Sequence, residues 1–131
     1  FLIAPHLLEL RPFLREGDFA PDSWGNKAVD VLNPPDVEIE KVAYSGFYQT
    51  RMDHLLKGLG IDTLVVAGIV TNGGVASTVR DAHMRGYRTI LLSDGCGAFK
   101  SEVHDATLVS LGSVVEAVTC ADFLARPELG S

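Results

Sequence analysis

Short apolar runs alternating with amphipathic stretches predict an α/β domain, a three-layer Rossmann-like fold around a mostly parallel sheet. Three observations carry this expectation. Thr63–Val70 is a near-continuous apolar run of strand length, the pattern of a strand covered on both faces. Arg88–Ser93 repeats that pattern. Between the two, Val75, Val79 and Ala82 recur at helical spacing through Val75–Arg85. Strand, helix and strand in this order form a βαβ unit with a right-handed crossover.

The elements follow along the chain. Residues 1–35 are irregular, broken by Pro5, Pro12, Pro21, Pro34, Pro35, Gly17 and Gly25. Leu7, Leu8 and Leu10 suit a short helical turn that Pro12 limits. Asp18–Gly25 reads as an ordered loop whose aromatic residues, Phe19 and Trp24, either plug it onto the core, the favoured reading, or line a pocket. Val37–Val42 alternates apolar and polar residues, as a half-exposed strand does. A turn at Tyr44–Phe47 leads into a helix over Tyr48–Leu59, with Met52, Leu55, Leu56 and Leu59 on one face and Gly58 and Gly60 ending it. After the βαβ unit, Ser101 is the expected N-cap of a helix running to Leu111, with Glu102 in its first turn. Val114–Val118 is the last strand and Ala121–Ala125 the last helical turn. Four strands make a small open sheet, one side of which calls for more strands. The expectation is therefore association with another copy (a homo-oligomer) or with a complementing N-terminal chain.

Composition narrows the function. A length of 131 residues with 47% hydrophobic and 21% charged suits one globular domain rather than a disordered chain. Net charge is −6, so there is no basic excess for nucleic acid. No apolar run reaches the ~20 residues that cross a bilayer, so no membrane partner is expected. Phe1 opens the chain with no basic region before an apolar core, so no signal peptide is expected. Two cysteines, Cys96 and Cys120, are too few for a disulfide scaffold, which favours a reducing, cytoplasmic setting. His6, His54, His83 and His104 lack metal-site spacing and read as surface residues, and no cofactor fingerprint of the G-x-G-x-x-G type occurs.

Ligands of open α/β sheets sit beyond the carboxyl ends of the strands. Here those ends are Lys41–Phe47, Gly68–Gly74 and Asp94–Phe99. Thr71-Asn72-Gly73-Gly74 joins a strand directly to a helix. Its glycines either present backbone N–H groups to an anion or oxyanion, or merely permit tight strand–helix packing, and the segment alone leaves the two readings even. Lys41 is either a solvated surface charge, the commoner case, or a desolvated cation that polarises a carbonyl. Asp94 is a candidate for orienting loops, Arg80 and Asp81 for an exposed pair or a cap. Cys96 reads as a small buried thiol sooner than a reactive one, and Cys120 as structural.

Two blocks together carry a resemblance. One is Lys41-Val42-Ala43-Tyr44-Ser45-Gly46-Phe47 with Thr50. The other is Gly68-Ile69-Val70-Thr71-Asn72-Gly73-Gly74-Val75 with Thr78, Arg80-Asp81-Ala82 and Gly86-Tyr87. From Asp36 to Phe123 the chain resembles the isochorismatase-like, or cysteine hydrolase, superfamily, with its ureidoacrylate amidohydrolases nearest. The resemblance implies a hydrolase of a small polar substrate, cleaving an amide or ureido C–N bond or a vinyl ether of isochorismate type, without a cofactor. It implies a catalytic role for Lys41, oxyanion donors at the backbone N–H groups of Val70 and Gly74, and a cis peptide at Ile69–Val70. It places the family's nucleophilic Cys at Gly74, where there is no thiol. It places the catalytic Asp on a first strand with no counterpart here, as the first strand–helix–strand is expected to be missing; Asp18, Asp22, Asp30 and Asp36 do not qualify. Specificity would come from Phe19, Trp24, Tyr44 and Phe47, beside Thr71, Asn72 and Gly73. A catalytically inactive small-molecule-binding or structural relative is the alternative.

Overall fold

The computed structural model describes residues 5–16, 20, 22–32 and 34–129. The chain forms two units, Phe1–Glu38 and Ile39–Ser131. In the first, helix α1 covers Pro5–Leu10, with proline in the first turn, where its missing N–H costs nothing. Pro12 opens a 3₁₀ turn over Pro12–Glu16, and two further single turns cover Trp24–Asn26 and Asp30–Leu32.

The second unit is built on three parallel strands, β1 (Thr63–Ile69), β2 (Arg88–Gly97) and β3 (Glu116–Val118), in that spatial order. The α/β class and the parallel sheet therefore stand as expected. The strand expected at Val37–Val42 does not form: no ladder partner exists for it among the described residues, and Val37 and Val42 are exposed. Alternation marks a chain fit for a sheet face, but only a neighbouring edge makes it a strand.

β2 also outruns its expected end at Ser93. It pairs in register with β1 from Thr63↔Arg88 to Val66↔Leu91, then resumes at Gly68↔Cys96 and Ile69↔Gly97. Two steps along β1, Val66 to Gly68, are matched by five along β2, Leu91 to Cys96. Gly68 accommodates the break with φ +135°, a conformation that side-chain-bearing residues avoid. Cys96 consequently lies within a strand and not on a strand-end loop.

Helix α2 (Met52–Gly58) starts later than its apolar spacing suggests, because Gln49 has φ 53° and breaks any helix through it. Gly60, with φ 69°, ends the helix as the N–H of Ile61 reaches back to Leu56 O at 2.9 Å. Gly86 and Tyr87 repeat the device for α3 (Ala76–Met84), with Tyr87 N–H on Ala82 O at 3.0 Å. Helix α4 is Ser101–Leu111, as its pattern predicts, although Lys100 rather than Ser101 occupies the cap position. In α5 (Cys120–Leu124), Thr119 caps the helix by accepting from Asp122 N–H at 3.1 Å.

Two apolar clusters position everything else. Val75, Val79, Leu91 and Leu111 join the turn before α3, α3 itself, β2 and α4. Phe47, Ala82 and Tyr87 join the loop before α2 to α3 and β2, with Met52, Leu56 and Leu64 packed around them. Both clusters take even-numbered residues of β1, Leu64 and Val66. The odd-numbered side chains, Val65, Ala67 and Ile69, are exposed, so the expectation that β1 is covered on both faces does not hold within this chain.

Candidate active site

The chain after β1 turns sharply. The Ile69–Val70 peptide is cis, at the position the sequence resemblance implies. A wide helical turn over Thr71–Val75 follows before α3 begins. Val70 O anchors it, accepting from Gly73 N–H at 2.9 Å and from Val75 N–H at 3.4 Å. Gly73 is tight, since a Cβ there would come within 2.9 Å of Val70 Cγ2 and something would have to shift.

Gly74 is different. A Cβ built on it would meet Tyr44 O at 3.3 Å, Ile69 O at 3.8 Å and Lys41 Nζ at 3.8 Å. The structure thus brings Lys41, the Tyr44 carbonyl, and the turn at Gly74 to one place. A cleft of about 170 Å³ lies there, lined by Lys41, Gly68, Ile69 and Gly74 among others. Lys41 comes from an irregular segment, not a strand end, and its Nζ donates to Ala43 O at 2.9 Å. Lys41 is exposed as a residue, yet partial burial of its ammonium pushes its pKa below the ordinary lysine value.

The other expected residues distribute unevenly. Thr71 is fully buried, its Oγ1 paired with His104 Nδ1 at 2.8 Å. His104 is therefore half-buried in a polar contact and not the free surface residue its spacing suggested; the partners are 33 residues apart, a distance no local motif encodes. Asn72 is exposed and lines a separate groove of about 460 Å³ between α3 and α4, beside Arg80 and Glu102. Phe47, expected to shape specificity, is core instead: it is 3% exposed, stacked at 5.7 Å against Tyr87, with the Arg85 guanidinium over its ring. An aromatic ring that can be enclosed by α2 and α3 buries more apolar area there than at a cleft rim. Trp24 belongs to the first unit and is exposed, and Phe19 lies outside the described residues.

The thiols and the remaining polar groups are structural in their surroundings. Burial pushes the Cys96 thiol above its ordinary pKa, and the Asp94 carboxylate does the same to Cys120. Neither is activated as a nucleophile. Asp94 Oδ1 accepts from Cys120 N–H at 2.7 Å and so ties the second half of β2 to α5, from within the strand and not from its end. Arg80 donates to Ser110 Oγ at 3.0 Å, joining α3 to α4. Among the described residues no three His, Cys, Asp or Glu side chains gather to hold a metal, and no helix is long and apolar enough to cross a membrane.

A strand-end cleft with a lysine facing a glycine-bearing turn, on a parallel α/β sheet, defines a class that comparison with known proteins makes specific. The family model for the Isochorismatase domain matches residues 5–122, and the chain belongs to that family. It is 43% identical over 89 residues to the ureidoacrylate amidohydrolase RutB of Methylorubrum extorquens, covering 66% of this chain and 36% of that protein. It is 34% identical over 97 residues to nicotinamidase 3 of Arabidopsis thaliana, covering 74% and 49%. The chain thus spans between about a third and a half of the length of these relatives. Among solved structures, a cysteine hydrolase from Pseudomonas syringae pv. phaseolicola superposes with TM-score 0.84 at 27% identity, covering 98% of this chain and 66% of that one. An isochorismatase-like hydrolase from Alkaliphilus metalliredigens gives TM-score 0.74 at 35% identity, covering 79% and 59%.

Proposed function

We propose that this chain carries the lysine and oxyanion side of a hydrolase site acting on a small polar substrate, with an amide or ureido C–N bond as the favoured target and a vinyl ether as the second. The approach of Lys41 Nζ to position 74, 3.8 Å from a Cβ built there, is the observation that carries the reading. A substrate carbonyl entering this cleft would develop negative charge beside the Lys41 ammonium and the backbone N–H groups of Val70 and Gly74. With hydrogen in place of a side chain at Gly74, no enzyme nucleophile attacks from that position, so water attacks directly and no acyl-enzyme forms there. The proton-transferring carboxylate comes from outside this sequence, on a further strand, supplied by another copy or a complementing segment. The outer edge of β1 has no strand partner among the described residues, which suits that addition. Tyr44, whose carbonyl faces position 74, remains a candidate for specificity.

Gly74 also favours a second reading, a relative that binds the same ligands without turning them over. Turnover of ureido compounds, primary amides and vinyl ethers by the full protein, with and without Lys41→Met, separates the two. Hydrolysis that falls ~10²-fold or more in Lys41→Met supports the enzyme. Ligand binding without turnover, weakened by Lys41→Met, supports the binding protein. Turnover indifferent to Lys41→Met removes the cleft from consideration.

A further inference from the structure

We propose that Thr78 is the positioning residue that sets the distance between Lys41 and position 74; this rests on the reading of their cleft as the active site. Thr78 lies on α3, one helical turn beyond Gly74, and its hydroxyl is used in both directions. It donates to Gly74 O at 2.7 Å and accepts from Gly46 N–H at 3.0 Å. One side chain therefore ties the turn after β1 to the loop that carries Lys41. A hydroxyl has a single proton to give, so this donor is committed to Gly74 O and its lone pair is left for Gly46.

The loop side of the clasp is equally constrained. Gly46 O accepts from Thr50 Oγ1 at 2.5 Å, so both peptide groups of Gly46 are held by threonine hydroxyls. Gly46 fits close against its neighbours: a Cβ there would stand 3.3 Å from Met52 Sδ and 3.6 Å from Thr78 Cγ2. Back along the loop, Tyr44 O faces position 74 and Ala43 O accepts from Lys41 Nζ. The ammonium is thus referenced through Ala43, Tyr44 and Gly46 to Thr78, and through Thr78 to Gly74. Thr78 also lines the cleft itself. Replacing its hydroxyl with a methyl leaves the volume filled, takes the side-chain bond from Gly74 O and leaves Gly46 N–H without its acceptor, which releases the loop from the turn.

The test uses a reporter thiol in the full protein. Gly74→Cys places sulfur at a helix N-terminus beside Lys41, and alkylation by iodoacetamide, resolved by mass spectrometry from Cys96 and Cys120, gives its pH midpoint. In that background Thr78→Val is expected to raise the midpoint by about one pH unit, and Thr78→Ser to restore it. Lys41→Met is the control, and it too should raise the midpoint. If Lys41→Met shifts the midpoint and Thr78→Val does not, the clasp is overturned and the cleft stands. If Lys41→Met leaves it unchanged, the reading of the cleft fails and the proposal with it. Should Thr78→Val not fold, amide exchange at Gly46 in the protein with Gly74 and Thr78 unaltered decides: protection supports the clasp, and exchange at the rate of a free loop amide overturns it.

Discussion

β1 and β2 read alike in the sequence and behave differently in the fold. Both are apolar runs of the type that parallel sheets bury. In β2, Leu91 is fully buried against α3 and α4, Ile90 on the opposite face is 4% exposed, and strands pair with both edges. In β1, Val65 and Ile69 are 44% and 77% exposed, and among the described residues one edge alone is paired. The difference teaches that an apolar run records what a strand is fit to be covered by, not what this stretch of chain supplies. It also bears on the cleft: Lys41 and Gly74 meet beside the end of β1, a strand whose outer face is exposed among the described residues.

The largest test of this contrast is Leu91→Ala. It removes a fully buried side chain from the cluster of Val75, Val79 and Leu111, and is expected to lower unfolding free energy by ~2–5 kcal/mol in a denaturant titration. Gly68→Ala comes next. A Cβ there meets nothing nearer than Val75 Cγ2 at 4.0 Å, so its cost is backbone strain at φ +135°. About 1–3 kcal/mol is expected from that source, and a loss well below this would mean that the register break relaxes.

A pH titration sharpens the contrast at the start of β2. Lys57 and Tyr87 hydrogen-bond the Asp53 carboxylate, each at 2.8 Å, and hold its pKa below the usual value. Ionised Asp53 thus favours the folded state above the unfolded-chain value of ~3.9, and the benefit is lost as acid protonates the folded form. Asp53→Asn should flatten that acid-side loss in melts followed from neutral pH downward. It should loosen Tyr87 at the entry to β2 while leaving amide exchange in β1 unchanged. The smallest effect belongs to Val65→Thr on the open face of β1, expected within ~0.5 kcal/mol in this chain by itself. A cost above ~1 kcal/mol, seen only at high protein concentration, would show that face covered by association.

Sequence patterning resolved what is local. Helix α4 has the bounds its spacing gives, and Gly60 and Gly86 end helices where glycine after an apolar stripe should. What depended on distant partners was hidden. The alternation of Val37–Val42 carries no information on whether an edge is present. β2 continues to Gly97 because Gly68 of β1 allows a second stretch of pairing. Phe47 looks the same in sequence whether it faces a ligand or Tyr87. The proximity of Lys41 to Gly74 was expected from two strand ends as well as from family resemblance, and the strand-end premise does not hold for Lys41, whose segment is irregular. The Thr71–His104 and Gly46–Thr78 bonds span 33 and 32 residues, so neither partner advertises the other.

Gly74 has a consequence for how such proteins diverge. The wall facing its missing side chain is mostly main chain, Tyr44 O at 3.3 Å and Ile69 O at 3.8 Å, with the Lys41 ammonium at 3.8 Å. A main-chain wall presents the same atoms whatever side chain its own residues carry. A lineage that exchanges glycine for a small side chain here, or the reverse, asks the Tyr44 carbonyl to yield by a few tenths of an ångström and asks nothing of the core clusters around Leu91 and Phe47. On the proposed reading of this cleft, the chemistry at this position can therefore be altered by a single substitution while the scaffold stays the same, one way in which a fold hosts different functions.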